Sequence, residues 1–167
     1  MVILHFNDAY DIQKDPNGSL GFINFYDHLQ KMRKLYPKSL LVFSGDAFAP
    51  SRLSRVHQGW QMVKCLKMLK IDVACYGNHD FDFHPDHALK LAKTCEFPWL
   101  MGNIKYPETN QNIGEGLDYY IIETAGIKIG FMGLAGPDFK GRLISDYKQL
   151  KYINVVDHAK ATCKILR

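Results

Sequence analysis

The chain has 167 residues, 47% of them hydrophobic and 23% charged, with a formal net charge of +4; such proportions suit one globular domain with a substantial core, spanning 1–167. Its basic residues sit on helix-like stretches such as Lys31, Arg33, Lys34 and Lys64, Lys67, Lys70, as solvated faces and not as a nucleic-acid stripe. No apolar run reaches membrane-spanning length, Met1 to His5 is too short a lead for a signal peptide, and Cys65, Cys75, Cys95 and Cys163 form no CxxC, so a cytoplasmic protein with separate buried or half-buried thiols is expected.

Val2 to Phe6 reads as a short buried strand, and the polar stretch Asp11 to Ser19 as a loop. Phe22, Phe25, Tyr26, Leu29, Met32 and Tyr36 recur at three- and four-residue spacing, which predicts a helix ended by Pro37. Leu40 to Phe43 is a second strand. Trp60, Val63, Leu66, Lys67 and Lys70 predict an amphipathic helix with Met62, Leu66 and Leu69 on its apolar side, feeding a strand from Val73 to Tyr76. Pro85 opens another helix, with Leu89 and Ala92 on its buried face, and Phe97 to Met101 follows as a strand. Strand-helix-strand repetition predicts an α/β fold with a mixed, mostly parallel sheet, right-handed crossovers and flanking helices. Tyr119 to Glu123 and Ile127 to Leu134, split by Ala125-Gly126, add an antiparallel hairpin. A loop spans Gly136 to Arg142 and a helix Val155 to Leu166.

Three strand ends carry hard oxygen donors: Asn7-Asp8, Ser44-Gly45-Asp46, and the run Tyr76-Gly77-Asn78-His79-Asp80-Phe81-Asp82. Taken singly, each reads as a turn or a helix cap. In a parallel sheet, however, ligands gather beyond the carboxyl ends of strands, so Asp8, Asp46, Asn78 and His79 are expected to converge. Aspartate and asparagine suit Mg2+ or Mn2+, and imidazole extends the range to Fe, Co, Ni or Zn. Asp46, with two oxygens, could bridge two ions, a pair of which can activate water for attack on a phosphoryl group. His79 suits charge stabilisation or protonation of the leaving oxygen, with Asp82 fixing its tautomer.

The segments Ile3-Leu4-His5-Phe6-Asn7-Asp8, Ser44-Gly45-Asp46-Ala47-Phe48, Gly77-Asn78-His79-Asp80-Phe81-Asp82 and Gly102-Asn103-Ile104 resemble the calcineurin-like metallophosphoesterases, specifically the 5'-nucleotidase branch. The resemblance implies the first part of a four-layer sandwich and hydrolysis of phosphate monoesters such as nucleotides with two divalent ions (Mn, Zn, Co, Fe or Mg). It implies Asp8 on the first ion, Asp46 bridging, Asn78 on the second, and His79 with Asp82 as the catalytic pair. The family usually has Asp-x-His at the first strand end, where this chain has Asp8-Ala9-Tyr10; Tyr10 is then either a candidate ligand, as a phenolate on iron(III), or stands aside while water or Asp11 takes the place. Family members also carry further histidine ligands in Gly-His motifs beyond the hairpin. His158 is not in such a context, so residues 1–167 are expected to be the N-terminal portion of the catalytic domain. The alternative reading is a catalytically degenerate relative that serves a partner protein as a structural or interaction module.

Among the remaining histidines, His5 is expected in the core or behind the ligands, His28 solvated or packed within the first helix, and His57, His84 and His87 at surfaces or helix ends. Phe22, Phe25, Tyr26 and Trp60 are expected in the core. Ser44 and Ser51 lie in no Gly-x-Ser-x-Gly, and Gly18 to Gly21 forms no phosphate-binding fingerprint.

Overall fold

The computed structural model describes residues 1–14, 21–143 and 149–167, so residues 15–19 of the expected first loop lie outside the described residues. Strands β1 (Ile3–Phe6), β2 (Leu40–Phe43), β3 (Val73–Cys75) and β4 (Trp99–Leu100) form a parallel sheet in the order β1-β2-β3-β4. Sequential order requires a crossover between every pair of neighbours, which α1 (Gly21–Leu35), α2 (Ser54–His57) with α3 (Trp60–Leu69), and α4 (Pro85–Cys95) supply. Register is fixed by His5 opposite Val42, Phe43 opposite Ala74 and Cys75 opposite Leu100.

Burial explains why these segments hold. Leu41, Phe43 and Val73 are buried on the inner strands, and Met62, Val63, Cys65, Leu66 and Leu69 form the buried stripe of α3. On α4 that stripe is Ala88, Leu91, Ala92 and Cys95; Leu89, expected there, is only half-buried because it sits at the edge of the contact. Trp99 joins Phe43, Phe48, Tyr76 and Phe97 through ring contacts of 4.7–6.0 Å. Trp60 departs from the expected core and is 40% exposed, because it opens α3 immediately after a left-handed Gly59. Its ring meets His87 edge-on and lies under Lys90 Nζ at 5.7 Å.

β1 also differs from the buried strand expected of Val2 to Phe6. It lies at the sheet edge, with Ile3 and His5 exposed and Leu4 and Phe6 half-buried. Its inner face is covered by α1, where Leu29 is buried and the Phe25 ring meets that of Phe6 at a tilt, 5.0 Å between centroids.

After β4 the chain becomes antiparallel. β5 (Ile104–Lys105) pairs with β8 (Lys151–Tyr152), and β6 (Tyr119–Thr124) with β7 (Ile127–Met132) across a turn with φ of 52° at Ala125 and 76° at Gly126. The hairpin forms its own two-stranded sheet and meets the parallel one at a Leu100–Leu117 bridge and a Gly102 N–H donated to Gly133 at 2.9 Å. Asn103, wholly buried, donates to the carbonyls of Ala135 and Ile153 and accepts the Ala135 N–H, thereby tying the turn after β4 to both later segments. The last helix, α5 (Val155–Leu166), is capped by Asn154 and places His158 against Gly102. All four cysteines are free thiols, Cys65 and Cys95 buried, Cys75 and Cys163 half-buried.

Candidate active site at the strand ends

The loops after β1, β2 and β3 continue the pairing of their strands. Asp8 N–H donates to Gly45 at 3.0 Å and Ala9 N–H to Asp46 at 3.1 Å. Asp8 and Asp46 both adopt left-handed backbone, with φ of 53° and 61°. Aspartate tolerates that region better than most residues, and such conformations concentrate at functional sites. Gly45, at φ 94°, and Gly77 let the second and third loops touch: a Cβ on Gly45 would lie 2.1 Å from Gly77 N, and one on Gly77 would lie 2.1 Å from Asp46 Oδ1.

At this junction Asp46 Oδ1 accepts the His79 backbone N–H at 2.8 Å. His79 Nδ1 sits 3.0 Å from Asp82 Oδ2, with the imidazole one-third exposed and the carboxylate nearly covered. The half-buried Asn78 side chain has no hydrogen-bond partner among the described residues. Asn7 donates from its amide to the Asp8 carboxylate. His5 is exposed and not in the core, and its Nε2 pairs with Ser44 Oγ at 2.7 Å, behind the Asp46 loop.

Charge is crowded here. Burial pushes the Asp46 carboxyl up from its ordinary range, and the Asp8 and Asp82 carboxylates push the same way against the His79 N–H and ring. Asp82 is raised by burial and pulled back by His79. The Tyr10 phenol is raised by burial and by Asp8, Asp11 and Asp46, which puts its hydroxyl in the field of the same carboxylates. No lysine or arginine pairs with Asp8, Asp46 or Asp82 among the described residues.

Oxygen donors concentrated without a cationic side chain fit divalent ions in kind. In number they are sparse, for among the described residues no three His, Cys, Asp or Glu side chains are grouped as a cation site requires. The structure thus brings Asp46, His79 and Asp82 into contact and sets Asp8 and Tyr10 in their field. Asp80, to which the sequence assigns no role in the cluster, is 2% exposed and accepts four backbone N–H groups, from Asp46, Ala47, Phe48 and Gly77. Only a run of polar residues around it hinted at this.

The family model for calcineurin-like phosphoesterases matches residues 1–162. A 5'-nucleotidase of Rattus norvegicus is 29% identical over 147 residues, 80% of this chain and 26% of that protein. The NAD 5'-nucleotidase of Haemophilus influenzae is 25% identical over 99% of this chain and 29% of its own length, so the chain spans little more than a quarter of these relatives. Among solved structures, Haemophilus influenzae NAD nucleotidase superposes with a TM-score of 0.81 at 22% identity, covering 98% of this chain and 31% of that one. The calcineurin-like phosphoesterase YfkN of Bacillus subtilis gives 0.78 at 20% identity, covering 98% and 57%. With three motif-bearing strand ends interlocked as described and the family model matched across almost its whole length, this chain belongs to the calcineurin-like phosphoesterase family.

Proposed function

We propose that the site serves a metal-dependent phosphoester hydrolase of the 5'-nucleotidase type, acting on phosphate monoesters such as nucleotides. The observation that carries this reading is the His79–Asp82 pair, joined at 3.0 Å and anchored through the His79 N–H to Asp46. Asp8, Asp46 and Asn78 would hold two divalent ions, with Tyr10 as a further oxygen donor beside Asp8. Bound there, such ions supply neutralisation of the phosphoryl oxygens and a lowered pKa for the attacking water. Asp82 accepts the Nδ1–H of His79 and so orients the ring, and in the doubly protonated imidazolium the Nε2–H is then free to pass its proton to the leaving oxygen. Nucleotides as substrates are supported by the names of the relatives.

One observation favours a second reading, a scaffold that kept the fold without the chemistry: no three His, Cys, Asp or Glu side chains are grouped for a cation among the described residues. The two readings separate in one experiment. Release of phosphate from a nucleoside 5'-monophosphate or an aryl phosphate is expected with Mn2+ or Co2+, and is expected to vanish in Asp46→Ala and His79→Ala. Well-folded protein without turnover, or turnover indifferent to chelator, refutes the enzyme. Turnover of phosphodiesters alone keeps the family and refutes the nucleotidase.

A further inference from the structure

We propose that Asp80 is the positioning residue of this site, a clamp that joins the loop after β2 to the loop after β3 and so sets Asp46 against His79. This rests on the reading of the site as a phosphoesterase centre. Asp80 touches no substrate, being 2% exposed. Its Oδ1 takes the N–H groups of Ala47 at 2.7 Å and Phe48 at 3.1 Å, and its Oδ2 takes those of Asp46 at 3.0 Å and Gly77 at 2.9 Å. Three of these donors belong to the loop after β2 and the fourth to the loop after β3.

The arrangement is reciprocal. The Asp46 side chain is held by the backbone N–H of His79, and the Asp46 backbone N–H is held by the side chain of the next residue, Asp80. Two bonds therefore close a ring between Asp46 and the His79-Asp80 pair, and movement of either loop must break one of them. A carboxylate suits this place because it accepts at both oxygens and donates nothing. Asparagine has the same shape but turns an NH2 toward two N–H donors. Serine and alanine reach none of the four.

The test is Asp80→Asn in the full chain, read by residue-resolved amide exchange and steady-state kinetics. One donor pair, either Asp46 with Gly77 or Ala47 with Phe48, is expected to exchange about tenfold faster or more, with core amides of β2 unchanged. In parallel kcat for a nucleoside monophosphate is expected to fall about 100-fold with KM little changed, as a displaced reacting group requires. Asp80→Glu, which keeps both acceptors, is expected to recover part of the loss. Unchanged kcat overturns the proposal, and so does a loss of protection spread evenly over the chain, which would make Asp80 a residue of the fold alone. If Asp80→Asn does not fold, the unaltered protein decides: the four amides must exchange as slowly as β2, and fast exchange refutes the clamp. An unaltered protein that releases no phosphate refutes the reading of the site, while the exchange pattern still decides the clamp.

Discussion

Replacing Gly45 by alanine tests the interlock of the second and third loops directly. The new Cβ would lie 2.1 Å from Gly77 N, 2.7 Å from Gly77 Cα and 2.8 Å from the Tyr76 carbonyl carbon. All three are backbone atoms, so no side chain can swing away. A left-handed L-residue costs about 1–2 kcal/mol, and overpacking of a closed contact about 1–3 kcal/mol more, for a sum of roughly 2–5 kcal/mol. Against a total of about 5–15 kcal/mol for a natural domain, that is a large fraction. Gly126→Ala is the control, since its φ of 76° is similar but nothing lies within 4 Å; it should cost only the backbone strain, about 1 kcal/mol. Urea unfolding of both variants separates the two contributions, and each kcal/mol should also move Tm by about 2–4 °C. If Gly45→Ala falls within about 0.5 kcal/mol of Gly126→Ala, the overlap is relieved by loop movement and the interlock is not rigid.

Asn103→Leu leaves the buried Ala135 N–H and the carbonyls of Ala135 and Ile153 without their partner, so urea unfolding should report a loss of about 3 kcal/mol or more, and a loss below 1 kcal/mol would show that the later segments find other anchors. Burial of His158 where α5 packs against Gly102 lowers its pKa from 6.5, with Asp118 opposing the effect and Lys105 adding to it. The unfolded chain therefore takes the proton first, and stability should be full above pH 6.5 and fall as pH drops toward the folded value. In His158→Leu that decline should flatten; an unchanged slope assigns it to other groups. Iron(III) added to the protein should give a visible charge-transfer band that Tyr10→Phe abolishes, whereas a colourless complex of equal affinity removes Tyr10 from the donors.

Much of this fold was legible in the chain because apolar periodicity and strand-end punctuation coincide. Leu40 to Phe43 reads as a strand and is one, and Ala125-Gly126 marks the hairpin turn. What escaped is the part that depends on neighbours. Val2 to Phe6 looks buried because its residues are apolar, yet β1 takes the sheet edge, and nothing local to a strand records its place in the order. Trp60 fits the helical period but stands at the first position of α3, where its ring meets the half-exposed end of α4 at His87 and Lys90 and stays 40% exposed. At the site, His79 and Asp82 were readable because their contact is three residues long. The role of Asp80 was not, since three of its four partners are backbone groups 32 to 34 residues earlier, and a backbone N–H leaves no mark on side-chain identity.

The edge position of β1 has a consequence for behaviour in solution. Parallel sheets ordinarily shield their margins, and natural edge strands defend themselves with lysine, proline or a bulge. Ile3-Leu4-His5-Phe6 has none of these, and Ile3 is 46% exposed. Among the described residues no strand pairs with this margin, so self-association of these 167 residues should grow with concentration, and Ile3→Lys should suppress it without reaching the Asp8 loop.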